Sequence, residues 1–150
     1  MKKFLGGVVL LKEKLGPILF QLPPNLNFDK ERLKEFCELL PENFYYTFEF
    51  RGKDWWNDET YEILNKHNLA FCIFELGKII TPKIITSKYV YIRLHGPGSR
   101  YAGNYSDEIL KSWADDFSSW RKEGKNIYCY FDNDEKGYAP KNALSLIRML

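Results

Sequence analysis

Apolar positions along this chain switch between two periods. Ile18–Leu22, Phe44–Phe50, Leu69–Phe74, Tyr89–Leu94 and Ile127–Phe131 are compact runs rich in aromatic and β-branched residues. Most are bounded by Gly, Pro, Asn, Asp or Glu, and Tyr89–Leu94 runs through His95 into Gly96-Pro97-Gly98, which predicts strands. Between them the apolar positions spread to helical spacing. Leu33, Phe36, Cys37 and Leu40 share one face of a predicted helix over 29–40, with Asp29 and Glu31 in its first turn and Pro41 as its stop. Tyr61, Leu64 and His67 mark a helix over 59–66, capped by Asn57 or Asp58. The clearest stripe is Ile109, Leu110, Trp113, Ala114, Phe117 and Trp120, opened by Ser106 as N-cap and closed by Gly124. A last helix covers 140–149, with Pro140 suited to its first turn. At the other end Phe4, Val8, Leu11 and Leu15 predict a helix over 4–15 despite two glycines, and Gly16-Pro17 ends it. Residues 76–88 hold no clean period and read as a loop with one irregular turn.

A helix followed by five rounds of strand, mostly with a helix after each, is the order of parallel βα units. Several strands read as continuous apolar runs, as strands covered on both faces do. No repeat, low-complexity tract or linker interrupts the pattern, so residues 1–150 are expected to form one domain. The composition, 45% hydrophobic and 17% aromatic over 150 residues, supplies a sizeable core and excludes disorder. Its 22 basic and 20 acidic side chains leave a net charge of +2. That excludes the basic stripe of a dedicated nucleic-acid binder while leaving room for a local anion site. Cys37, Cys72 and Cys129 lie far apart in apolar elements with no ligand spacing, as buried free thiols in a reducing cytosol do. The opening MKKFLGGVVLL imitates a secretory signal, but Lys12, Glu13 and Lys14 interrupt it and no small-residue cleavage site follows. Nothing approaches the ~20 apolar residues of a membrane span. The expectation is a soluble, cytoplasmic protein with no membrane partner.

The strand Tyr89–Leu94 runs directly into His95-Gly96-Pro97-Gly98. Alternation puts Arg93 and His95 on one face with Tyr89 and Tyr91, and Val90, Ile92 and Leu94 on the other. A cation and an imidazole at the end of a core strand are costly unless paired or used. No nucleophile motif accompanies them: GxSxG is absent, as are a glycine-rich phosphate fingerprint and HExxH.

Four segments, GPILFQLPP at 16–24, FEFRGKDWW at 48–56, YVYIRLHGPG at 89–98 and YCYFDNDEKGYAPKNAL at 128–144, resemble the YecE-like family, domain-of-unknown-function family 72. The resemblance covers nearly the whole chain and implies a TIM-type (β/α) barrel. It also implies a deficit. Family members carry three strands ahead of the segment matching GPILFQLPP, with a Trp/Tyr-rich opening motif, a Glu and Tyr strand and a Lys strand, and none is found here. A full barrel takes about 250 residues and eight strands. The expected fold is therefore α/β, a partial barrel of about five parallel strands corresponding to strands four to eight, with the amino-terminal three missing. Two open parallel edges would follow, and with them self-association, completion by another chain, or a non-catalytic remnant in which nothing replaces the missing strands.

Barrel sites sit at the carboxyl ends of the strands. Those ends offer Gln21, Glu49, Arg51, Glu75, Arg93, His95, Asp132 and Asn133. Three readings follow. Arg51, Arg93 and His95 bind a phosphate or carboxylate, helped by backbone amides around Gly96-Pro97-Gly98 and Gly137. Alternatively Glu49, Glu75, His95 and Asp132 surround a divalent metal, as in a metal-dependent hydrolase or isomerase. In the third, all are structural: Glu49 pairs with Arg93, His95 bonds a loop carbonyl, and Asp132 or Asn133 caps a turn. The first makes Gln21, Glu49, Arg51, Arg93, His95, Asp132 and Asn133 the expected ligand-binding set, with no metal and no cofactor identified. Three side features complete the inventory. Trp55 and Trp56 could stack on a sugar or base but read better as packing, and His67 sits late in its helix. Arg100, Tyr101 and Tyr105 make a basic and aromatic surface that could touch nucleic acid locally.

Overall fold

The computed structural model describes residues 2–150; Met1, the first residue of the signal-like stretch, lies outside the described residues. Six strands, β1 (Ile18–Leu22), β2 (Tyr46–Phe50), β3 (Ala70–Gly77), β4 (Ile79–Ile80), β5 (Tyr89–Pro97) and β6 (Asn126–Phe131), form one sheet in the order β1-β2-β3-β5-β6. All neighbours in that order are parallel, and the two-residue β4 folds back antiparallel on β3. The sheet is not closed. β1 and β6 each pair on one side only, which is the architecture of a partial TIM-like barrel.

Helices α1 (Lys2–Val8), α2 (Lys30–Glu38), α3 (Asp58–Lys66), α4 (Asp107–Lys122) and α5 (Tyr138–Met149) alternate with the strands, except that β3, β4 and β5 follow one another with no helix between them. Ser106, and Asn57 of the two candidates offered, cap as the sequence predicts, each accepting from the backbone amide three residues on; Asp29, read as part of the first turn, is instead the N-cap of α2 and accepts from Arg32 N–H. Phe48, Phe50, Phe71, Ile73, Val90, Ile92 and Leu94 point to the helix layer, where Leu33, Leu64, Trp113 and Phe117 cover them. Trp55 stacks on Phe50 in this core, its indole donating to the Leu26 carbonyl at 2.7 Å. Burying side chains of this size is worth roughly 2–3 kcal/mol each. The opposite face carries a second cluster of Ala70, Cys72, Phe74, Leu76, Tyr89 and Tyr91, the interior of the incomplete barrel.

Three elements depart from the sequence reading. The helix over 4–15 stops at Val8; a 3-10 turn over Val9–Lys14 follows, kinked at Lys12 where φ is 49°. Gly6 and Gly7 weaken the helix, and of its predicted stripe only Val8 and Leu15 reach the core, beside the buried Leu5, while Phe4 and Leu11 stay largely exposed. β5 continues through His95 to Pro97 instead of ending at Leu94, because Gly96 adopts φ +116° and the register with β3 shifts between Glu75 and Gly77. The segment read as a loop over 76–88 contains the β3–β4 turn. Both Trp55 and Trp56 pack, the latter donating to the Phe50 carbonyl at 3.0 Å. His67 caps the C-terminus of α3.

Candidate functional site

The parallel register decides which side chains meet. Gln21 lies beside Glu49 across β1 and β2, and Arg93 lies between Phe74 of β3 and Tyr130 of β6. Alternation along each strand then sends Gln21, Glu49, Arg93 and His95 to the interior face at the carboxyl end, where Arg51 and Asp132, just past β2 and β6, join them.

Glu49 is the hub, with its side chain fully buried. One carboxylate oxygen pairs with Arg51 Nε, and the other accepts from Arg93 Nη1 at 2.9 Å. Arg93 Nη1 also donates to Gln21 Oε1 at 3.2 Å, and its Nη2 lies 2.9 Å from Asp132 Oδ2. The Arg51 guanidinium sits 4.7 Å over the Phe74 ring, and its Nη2 is 3.2 Å from His95 Nε2. A guanidinium can only donate, so Nε2 accepts and the imidazole proton belongs on Nδ1, 3.3 Å from Asp132 Oδ2. His95 is neutral in this setting: burial, then the charges of Arg93 and Arg51, lower its pKa from 6.5 to about 4. Two guanidinium and two carboxylate groups thus balance around a neutral ring. With Nε2 taken up by the Arg51 guanidinium, His95 is suited to orient Arg51 rather than to take a proton from a substrate.

Two of the expected ligands lie elsewhere. Glu75 falls on the opposite face of β3, against Tyr105 and Trp113 of the helix layer, where burial raises its pKa. The proposed metal set of Glu49, Glu75, His95 and Asp132 therefore does not converge, and no cluster able to hold a metal occurs among the described residues. Asn133 is buried and turned away from the arginines; its amide donates to the Gly103 carbonyl and to Asn142 Oδ1, both at 2.8 Å. Asn142 in turn donates to Asn104 Oδ1 and accepts from the Tyr105 amide. This ties the β5–α4 loop to α5, a different task from capping a turn. Two backbone amides offered for an anion are also engaged, Gly96 N–H with the Tyr105 hydroxyl and Gly137 N–H with the Asp134 carbonyl.

Beside the cluster is a rim cavity of about 230 Å³, lined by Gln21, Pro24, Arg51, Phe74, Leu76, Ile79, Arg100 and Tyr101. Arg100 and Tyr101, read from sequence as a surface patch, thus belong to the wall of this site, whereas Tyr105 is buried behind it. Phe74 and Cys72 were hidden in an apolar run. Phe74 supports Arg51, and the Cys72 thiol, its pKa raised by burial and by Glu49, donates to Glu49 at 3.6 Å. Their spacing from one another, two residues on a strand, was the available signal that they share the interior face.

Comparisons with known proteins agree with this architecture. UPF0759 protein YunF of Bacillus subtilis (strain 168) is 22% identical over 172 residues, covering 94% of this chain and 60% of YunF. A DUF72 family protein from Thermotoga maritima MSB8 superposes with a TM-score of 0.87 at 31% identity, over 99% of this chain and 63% of that one. A second, from Enterococcus faecalis V583, gives 0.86 at 17% identity, over 99% and 64%. The chain therefore spans about 60% of the length of the relatives it matches. No described helix is long and apolar enough to cross a membrane. With the family profile "Protein of unknown function DUF72" matching residues 1–150, on a half-open barrel whose polar rim is built from the same strand ends that carry the sequence resemblance, this chain belongs to the DUF72, or YecE-like, family.

Proposed function

We propose that the rim cavity binds a small anionic ligand bearing a phosphate or carboxylate. The observation that carries this reading is Arg51. Glu49, His95 and the Phe74 ring hold its guanidinium from three sides while it lines the cavity. A cation already positioned loses little freedom when a ligand arrives, so its charge-assisted hydrogen bonds add to affinity. Gln21 supplies an amide beside it. Arg93, Glu49, His95 and Asp132 position Arg51, and Asn133 tethers the loop that forms the far wall. Thermal shift against phosphate and a set of small carboxylates tests the reading: the parent protein gains stability, and Arg51→Lys and His95→Ala gain much less. Equal shifts for parent and variants would dispose of it.

A second reading, a module that completes its barrel with a partner chain or a second copy, draws on the two open edges. Tyr130 on β6 and Leu144, Ile147 and Leu150 after it are 43–65% exposed, an apolar margin along one edge strand. Native mass spectrometry distinguishes the two, since a strict monomer at micromolar concentration removes the second copy.

A further inference from the structure

We infer that Arg100, on the loop after β5, sets the charge of the ligand in the rim cavity, and that this ligand is a small monocarboxylate with an apolar, ring-sized body. The inference rests on the reading of the cavity as an anion site and adds which residue governs it and what it holds.

Charge balance is the first step. Arg51 and Arg93 face the carboxylates of Glu49 and Asp132, and His95 is neutral, so the buried cluster has no net charge to offer. Arg100 lines the same cavity and takes part in no ion pair among the described residues. One uncompensated cation matches one negative charge. A phosphate, at roughly −1.5 to −2 when esterified, would leave charge unmatched beside Glu49.

The loop that carries Arg100 is held in place. Its Tyr101 is in the left-handed region at φ 59°, a strained setting for a residue with a side chain, and such strain gathers where a fold over-determines a functional segment. The Tyr101 amide bonds the His95 carbonyl, Gly103 N–H donates to Glu135, and Asn133 binds the Gly103 carbonyl. Gly96 admits no side chain, because a Cβ there would sit 2.2 Å from the Ala102 carbonyl oxygen. The loop is thereby fixed directly to the strand bearing His95, and the guanidinium of Arg100 starts from a defined backbone position.

The cavity walls define the rest of the ligand. Phe74, Leu76, Ile79 and Tyr101 give the lining apolar surface beside the polar groups of Gln21, Arg51 and Arg100. At about 230 Å³ the space is below the ~300–1,000 Å³ of drug-sized sites, room for about one ring. A planar carboxylate suits the guanidinium fork, and an apolar body suits the wall.

Titration of the protein with benzoate, acetate and inorganic phosphate, followed by NMR shifts of the Gly96–Gly103 amides, tests this in the parent, Arg100→Ala, Arg100→Lys and Arg51→Lys proteins. Arg100 is exposed, so its variants should fold as the parent does. The expected result is benzoate binding about 10-fold tighter than acetate or phosphate, weakened about 10-fold by Arg100→Ala and less by Arg100→Lys. Benzoate binding unchanged by Arg100→Ala but lost in Arg51→Lys would overturn the role of Arg100 and leave the anion site standing. Phosphate binding as tightly as benzoate would overturn the monocarboxylate class alone. If none of the anions moves the parent's amides, both this inference and the anion reading fall.

Discussion

The middle of the sheet and its edges solve the burial problem differently. β3 and β5 are paired on both sides and covered on both faces, so even Glu49 beside them, matched to two arginines, and the neutral His95 at the end of β5 are fully shielded. β1 and β6 carry the same kinds of residue with a neighbour on one side only, and their side chains stay half-exposed. Charge can be buried where the sheet supplies partners from several strands. At an edge the same chemistry stays wet and is worth less.

That contrast can be broken most sharply at its hub. Glu49→Ala removes the carboxylate shared by Arg51 and Arg93 and leaves two shielded guanidinium groups without it. The expected loss is about 3–5 kcal/mol in urea unfolding. A loss below about 1 kcal/mol would mean that the central cluster is as solvated as the edges. Gly96→Ala comes next. Its φ of +116° and the close Ala102 carbonyl force the loop to move, for an expected cost of about 3 kcal/mol by the same measurement.

The neutral His95 predicts a pH dependence. Its folded pKa, about 4, lies below the ordinary 6.5, so the unfolded chain binds the extra proton first. Stability is complete above pH 6.5, declines as pH falls from there toward 4, and then levels for this group. The expected amplitude is about 3 kcal/mol, read from denaturant unfolding across that range and absent in His95→Gln. A slope of opposite sign would mean a charged imidazole paired with Asp132. The smallest effect belongs to the edge: Ile147→Glu on the exposed side of α5 should change unfolding free energy by no more than about 0.5 kcal/mol. A loss of 2 kcal/mol or more would show that this edge is covered in solution.

Much of the fold was legible before the structure. The strand runs, the helix stripes and the caps Asn57 and Ser106 are local signals, and the alternation of Tyr89, Tyr91, Arg93 and His95 assigned the interior face of β5 correctly. The pairing of Glu49 with Arg93 was also anticipated. The failures share a cause. The helix over 4–15 had the right period, but the core meets only part of its stripe, Val8 and Leu15, and leaves Phe4 and Leu11 exposed. Glu75 lay at the right strand end but on the wrong face, because its parity along β3 opposes that of Phe74. Asn133 was grouped with Asp132 by adjacency, although neighbouring residues leave a strand end in opposite directions.

The sequence by itself therefore determined the element order, the parallel βα class and the polar character of the strand ends, because propensity, periodicity and capping act over a few residues. Only the tertiary structure decided which of those ends converge, that Arg51 and Arg93 are neutralised by Glu49 and Asp132, and that Arg100 and Tyr101 wall the cavity. Those outcomes depend on register between strands 28 to 83 residues apart, from Gln21 to Glu49 and from Glu49 to Asp132, and on how a strained loop returns over His95. No local pattern encodes that distance, since the forces that set it arise only when the strands are side by side.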